Sequence, residues 1–320
     1  KIEAALTEHP FPPQVVIETT SYCNQKCIHC MHKELDRPHS HMDDHLFNKI
    51  VEEIGSKAPL TEIWPTFYGE ALILGDKIWD KIDYAAEVGC ANIVLNSNGR
   101  LLDRKNHIDR ILKSPLKRFI LSLDGFHKET FNKIRVGGDR DKIFASVEKL
   151  LNKKAKLNQK YPVIIAQFSQ MKENEAEIPL FTNYWKERGA EVKVRPKLEW
   201  TASGSITAEN LDHNPDFRIA CPWGNNTMAI QQNGDVVTCA VDWAPSFVAG
   251  NAGEKTIEEI WNILGEKVRK PHLERDWDNI PDICKGCNDW QTAGADYEDE
   301  EVEGTRPFWF KNKVGIPTNF

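Results

Sequence analysis

Cys23, Cys27 and Cys30 stand in Thr20-Ser-Tyr-Cys-Asn-Gln-Lys-Cys-Ile-His-Cys-Met31, directly after the apolar run Val15-Val16-Ile17. Three thiolates at C-x3-C-x2-C spacing can hold three corners of a 4Fe–4S cube and leave one iron open to a small molecule. The chemical alternative is a Cys3His zinc site completed by His29 or His32, since zinc closes tetrahedral shells of sulfur and nitrogen. Structural zinc knots usually pair two Cys-x2-Cys knuckles close together, and no second knuckle follows here. Three cysteines in so short and polar a stretch also make poor core.

A second set, Cys221, Cys239, Cys284 and Cys287, occupies the last third of the chain, with Cys284-Lys-Gly-Cys287 as a tight knuckle. Four thiolates close a metal site completely, as zinc or as a 4Fe–4S cube, and spacing alone leans slightly to zinc. The remaining cysteine, Cys90 in Glu87-Val-Gly-Cys90-Ala-Asn, lies in a helix-to-strand connection and reads as a small buried residue.

The elements that must position these groups alternate along the first two-thirds of the chain. Strand patterns at Val15–Thr20, Thr61–Tyr68, Asn92–Asn96, Arg118–Leu123, Val163–Phe168 and Glu191–Arg195 are separated by helical ones. These helical patterns cover Asp44–Ile54, Lys77–Val88, Lys105–Leu112, Lys142–Leu157 and Glu175–Arg188. Repetition of this kind implies parallel strands with right-handed crossovers. Six βα units predict a partial (β/α)6 barrel over 1–199, whose chemistry collects at the strand C-termini. The cysteine loop, Tyr68-Gly69-Glu70, Asn96-Ser97-Asn98 and Ser122-Leu123-Asp124 then meet at one rim. A smaller unit is expected over 200–320. Asn233-Gly234 between two alternating runs signals a hairpin, a helix is expected at Thr256–Lys267, and an acidic run at 296–303 leads to an aromatic tail.

The three-cysteine motif resembles that of the radical S-adenosylmethionine (SAM) superfamily. Cys-Pro-Trp (221–223), Gly234-Asp-Val-Val-Thr-Cys239, Asn251, Ile260-Trp261 and Cys284-x2-Cys287 are similar to a C-terminal SPASM or twitch extension. The shared motifs reach from about Val15 to Trp290. The resemblance implies SAM on the open iron, cleavage to a 5′-deoxyadenosyl radical, and one auxiliary 4Fe–4S cluster on the four later cysteines. It also implies SAM contacts at Gly69, Glu70, Asn96, Asn98, Ser122, Asp124 and Arg135. Many family members have an aromatic residue near adenine just before the last cysteine; His29 departs from that pattern and either takes that part or is a solvated histidine. An alternative for Arg135 is a surface position after a short helix.

A net charge of −7 argues against a nucleic-acid footprint, and no apolar run is long enough to span a bilayer. With eight cysteines and no export signal, a reducing, cytoplasmic setting is expected. The short arm Lys1–Pro13 is too small for a leader-peptide recognition domain, which favours a small polar metabolite such as an aminocyclitol, amino sugar or glycan-pathway alcohol. With Cys90 on the far rim, no spare thiol can return a hydrogen atom. Oxidation of an alcohol carbon is therefore expected over epimerisation, with peptide modification as a further alternative. Arg195 and Glu199 are the candidate catalytic residues; otherwise they bridge barrel and extension. A flavodoxin or ferredoxin is the expected reductant.

Overall fold

The computed structural model describes residues 8–200, 218–245 and 247–294, together with 6, 206, 208, 211 and 212. Six strands run Gln14–Ile17 (β1), Glu62–Trp64 (β2), Asn92–Ser97 (β3), Arg118–Ser122 (β4), Val163–Gln170 (β5) and Glu191–Pro196 (β6). Each pairs parallel with the next in chain order, giving the expected partial (β/α)6 barrel. Helices at Asp44–Lys57, Asp76–Glu87, His107–Lys113, Arg140–Lys156 and Ile178–Glu187 cover the outside. The short helix expected before Arg135 covers Lys128–Ile134. The helix expected over Glu175–Arg188 is split: a 3₁₀ turn covers Glu175–Glu177, and Pro179 sits in the first turn of the α-helix that follows. Proline fits there because its missing N–H would have no partner.

Strand alternation sorts the side chains into two faces. Val15, Ile17, Ile63, Leu95, Phe119, Leu121, Ala166 and Phe168 face outward and pack beneath Phe47, Ile50, Trp79, Ile82, Phe144, Val147 and Trp185 of the helices. Trp79 and Trp185 are wholly buried, and each such side chain contributes roughly 1.5–3 kcal/mol. Inward positions hold a thinner apolar layer of Val94, Ile120 and Ile165. The floor, at the strand N-termini, is polar: Arg118 pairs with Glu62, which also accepts from Gln14 Nε2 at 2.8 Å. Arg118 is 4% and Glu62 1% exposed. Removing one partner strands a buried charge, so Arg118→Ala is expected to cost about 3–5 kcal/mol, measured by urea unfolding.

The foreseen hairpin is present as Thr227–Ile230 (β7) and Asp235–Val237 (β8), antiparallel across a turn in which Gly234 has φ +93°. A third strand, Val248–Asn251 (β9), extends it. Less legible was its placement. β7 pairs parallel with β1, Val15 opposite Met228, so one sheet runs β6-β5-β4-β3-β2-β1-β7-β8-β9 across positions 199 and 200. The helix expected at Thr256–Lys267 forms over Ile257–Leu264, opened by a Thr256–Glu259 capping box, and continues as a π turn over Gly265–Arg269. The acidic run at 296–303 and the aromatic segment at 307–310 lie outside the described residues. Among the described residues, no helix is long and apolar enough to cross a membrane.

Candidate active site

The loop after β1 carries Cys23, Cys27 and Cys30 across the top of the barrel. It is held by backbone bonds from Lys26 to Val136 O (2.8 Å) and from Ile28 to Ile134 O (3.0 Å). Gly69 presses against its base: a Cβ there would lie 1.9 Å from Thr20 O and 2.9 Å from Tyr22 O. Only glycine permits that approach. Gly69→Ala is therefore expected to displace the loop and to lower the iron bound by reconstituted protein, readable from its visible absorbance.

Glu70 is 2% exposed. Its carboxylate accepts from Asn98 N at 2.7 Å, Ser97 Oγ at 2.9 Å and Leu72 N at 3.2 Å. Burial raises its pKa against those bonds. Three of roughly four acceptor positions are thus filled from within, and the group braces the turn after β3 as well as facing the loop. Asn98 in turn donates from Nδ2 to Asn24 Oδ1 at 2.8 Å, with Cys23 Sγ at 4.0 Å.

Arg135 is 7% exposed, which excludes the surface alternative. Its guanidinium pairs with Asp124 and reaches Cys27 Sγ at 3.6 Å. Asp124, at φ +53°, also meets His29 Nε2 at 3.2 Å and accepts from Ser169 N at 2.7 Å. Burial opposes ionisation of Asp124, but Arg135 and His29 outweigh it and hold the carboxyl below the usual carboxylate range. Burial lowers the pKa of His29 despite that contact. Asp124 therefore joins Arg135, His29 and the cysteine loop into one buried network.

Burial pushes Cys23 up to about 12 and Cys30 up to about 11, and raises Cys27 as well. Unliganded, these thiols would keep their protons; a cationic centre is what makes thiolates here. Buried N–H groups without partners surround them, on Gln25 Nε2, Asn24 Nδ2 and Arg135 Nε, beside the unpartnered His29 Nδ1. Such donors suit the carboxylate and hydroxyls of SAM.

Cys221, Cys239, Cys284 and Cys287 all edge one hollow. Burial raises all four thiols, Cys284 to about 12, and neighbouring members of the set raise Cys239, Cys284 and Cys287 further. Backbone N–H groups of Trp223 and Gly224 point at Cys221. Among the described residues, no three His, Cys, Asp or Glu side chains close on a single metal ion. Zinc would draw its thiolates within about 4 Å of one another, whereas a cube spreads them over its corners. Four thiols around one hollow, with backbone N–H groups beside them, are the donor set a fully ligated cube takes.

Between the two cysteine sets opens a cavity of about 160 Å³. Asn96, Gln167, Lys193 and Arg195 line it from inward positions of β3, β5 and β6, and Trp64, Trp200 and Trp223 give it aromatic walls. Trp200 Nε1 donates to His29 O at 2.8 Å, tying the wall to the first set, and Trp223 and Ala240 adjoin Cys221 and Cys239. Ser122 lies behind the wall, donating to Asn96 Oδ1 at 3.0 Å and accepting from Gln167 Nε2 at 3.2 Å.

Two expected catalytic residues part company here. Arg195 lines the cavity, but Glu199 does not. The Glu199 carboxylate accepts from Ala208 N at 3.0 Å and Asn288 Nδ2 at 3.1 Å, and its N–H donates to Asp289. It bridges barrel and extension because its partners come from distant sequence. Gln167, Lys193 and Trp200 were missed; alternation along β5 and β6 marks the first two as inward. Cys90 is 3% exposed, and its thiol donates to Val51 O at 3.3 Å under the helices, far from this cavity in the fold.

Comparison with known proteins yields two family models: the radical SAM superfamily over residues 17–164 and an iron–sulfur cluster-binding domain, SPASM, over 221–288. A GTP 3′,8-cyclase of Clostridium botulinum strain Hall is 31% identical over 139 residues, 42% of this chain and 42% of that protein. One from Hydrogenovibrio crunogenus is 28% identical over 180 residues, 55% of this chain and 52% of its own length. The chain thus spans about half or less of these curated relatives. Among solved structures, BtrN in complex with AdoMet and 2-DOIA aligns with TM-score 0.61 at 20% identity, covering 92% of this chain and 98% of that one. Streptococcus suis SuiB bound to precursor peptide SuiA aligns with TM-score 0.64 at 17% identity, covering 79% and 65%.

Proposed function

We propose that this chain, which belongs to the radical SAM superfamily and carries an iron–sulfur cluster-binding SPASM domain, oxidises an alcohol carbon of a small polar metabolite. The observation that carries this reading is the cavity between the two cysteine sets, walled by residues that adjoin both and, among the described residues, by no thiol. Its lining, mainly aromatic and apolar with a few polar side chains, suits a small polar molecule. The likeness to BtrN, which holds 2-DOIA, supports the same class.

In this reading Cys23, Cys27 and Cys30 hold the SAM-binding 4Fe–4S cluster, and Cys221, Cys239, Cys284 and Cys287 the auxiliary one. When bound, SAM and the first cluster would supply hydrogen-atom abstraction, and the auxiliary cluster one-electron oxidation. Arg135, Asn24 and Gln25 offer donors to the SAM carboxylate and ribose, Gly69-Glu70 admits its ammonium, and Asn98 and Asp124 order these groups. Asn96, backed by Ser122, faces the zone where SAM and substrate meet. Arg195 anchors an electron-rich group of the substrate, and the hydroxyl proton leaves to water at the cavity mouth. The aromatic walls shield the reacting carbon from other hydrogen sources. A flavodoxin or ferredoxin delivers the first electron beside the exposed Tyr22, Ile28 and Val136, which flank the cysteine loop.

The test is an anaerobic reaction in D₂O with SAM and a panel of sugar alcohols and sugar phosphates. A product lighter by two hydrogens, formed one for one with 5′-deoxyadenosine and without deuterium at the reacting carbon, is expected. Deuterium at that carbon in a product of unchanged formula would replace oxidation with epimerisation. A modified peptide as the only product would favour the second reading, peptide modification, which the likeness to peptide-bound SuiB supports.

A further inference from the structure

We infer that His272 donates an N–H···S hydrogen bond from Nε2 to the auxiliary cluster and thereby raises that cluster's reduction potential. This rests on Cys221, Cys239, Cys284 and Cys287 holding a 4Fe–4S cluster, and it assigns a side chain that sets how readily the cluster takes an electron.

His272 lies on the short helix Lys270–Leu273, which continues the π turn over Gly265–Arg269. Val268 and His272 share a helix face, and both line the hollow edged by the four cysteines. The imidazole is 2% exposed. Its Nδ1 accepts from the backbone N–H of Cys221 at 3.4 Å. A ring nitrogen that accepts carries no proton, so the single proton of the neutral imidazole sits on Nε2. That N–H is buried and has no partner among the described residues. The ring meets Trp277 edge-on, with centroids 5.9 Å apart and planes at 72°. A histidine that merely filled the core would have both nitrogens matched, because a bare interior donor is costly. Four sulfurs line the hollow, and sulfur bound to iron is an anionic acceptor. The hydroxyl of Thr238, also buried and without a partner among the described residues, lines the same hollow. Asp289, the carboxylate of the described lining, accepts from Glu199 N at 2.8 Å. Hydrogen bonds to cluster sulfurs help set the reduction potential. A donor stabilises the more negative, reduced state and so favours uptake of an electron.

Redox titration of the anaerobically reconstituted protein, followed by electron paramagnetic resonance with and without SAM, tests the assignment. The auxiliary cluster is the signal that SAM leaves unchanged. His272→Asn keeps an acceptor where Nδ1 stands and offers no donor where Nε2 stands, whereas His272→Gln offers an amide N–H there. His272→Asn should shift the one-electron reduction equilibrium about tenfold toward the oxidised cluster, a potential about 59 mV lower. His272→Gln should stay within about threefold of wild type. In wild-type protein labelled with ¹⁵N-histidine, the reduced auxiliary cluster should show a weak ¹⁵N hyperfine coupling that His272→Asn loses. A potential unmoved in His272→Asn, or lowered equally in His272→Gln, overturns the proposal. So does the absence of that coupling from wild type, a result that needs no variant to fold. Zinc in place of a SAM-insensitive cluster signal overturns it at its premise, which is distinct from a cluster whose potential does not move.

Discussion

Cys27→Ala protein, reconstituted anaerobically with iron and sulfide, is expected to hold about four irons where wild type holds about eight. Its 5′-deoxyadenosine formation from SAM and dithionite should fall to about one-thousandth of the wild-type rate or less, a barrier increase of roughly 4 kcal/mol. Cys27 is the most buried of the three loop thiols and the one Arg135 approaches. Its loss removes a corner of the cube and leaves the guanidinium facing a void. Far-ultraviolet circular dichroism should remain near wild type, because the loop also hangs on its bonds to Ile134 O and Val136 O. Deoxyadenosine at an undiminished rate would remove the basis for a three-thiolate open-iron centre.

Cys287→Ala should separate the two halves of the chemistry. Iron again falls to about four, but 5′-deoxyadenosine formation should stay within about threefold of wild type, since the cysteine loop and its buried network are untouched. The oxidised product should drop by about a hundredfold or more, roughly 2.7 kcal/mol on the second electron transfer. Cys287 shares its hollow with Cys221, Cys239 and Cys284, so three thiols remain without a closed shell. A variant that still makes full amounts of oxidised product would show that the second centre is structural. Wild-type protein with about four irons and one zinc would take away the electron acceptor altogether.

Much of this architecture is local and therefore legible in the chain. The six barrel strands announce themselves by β-branched runs, and Asn233-Gly234 by the left-handed turn it favours. The capping box at Thr256 and Glu259 is a pattern of spacing alone. What escaped is non-local. Nothing in Thr227–Ile230 says that it will lie beside β1, because a parallel partner is chosen by the shape of the whole barrel. Glu199 looks like any carboxylate beyond a strand until residues 208, 288 and 289 arrive to bind it. Likewise the inward turn of Arg135 depends on Asp124, which lies on the other side of a helix in sequence. Lys193 was within reach of pattern reasoning: it alternates with Val192 and Val194, and the inward face of a terminal barrel strand is where a substrate-facing charge belongs.

The pairing of β1 with β7 makes the C-terminal segment a piece of the barrel wall, with consequences for anyone cutting the gene. A truncation near residue 200 would bare the backbone edge of Val15, Val16 and Ile17, a short apolar strand with no covering charge. Such a fragment should associate through that edge instead of behaving as a free-standing catalytic half. Transplanting the later segment from another protein would need a strand that matches the Val15–Met228 register. Hydrogen-bonded sheet runs from β1, which feeds the first cysteine loop, through β7 to β8, which precedes Cys239, so backbone pairing and not a linker alone ties the two cysteine sets together.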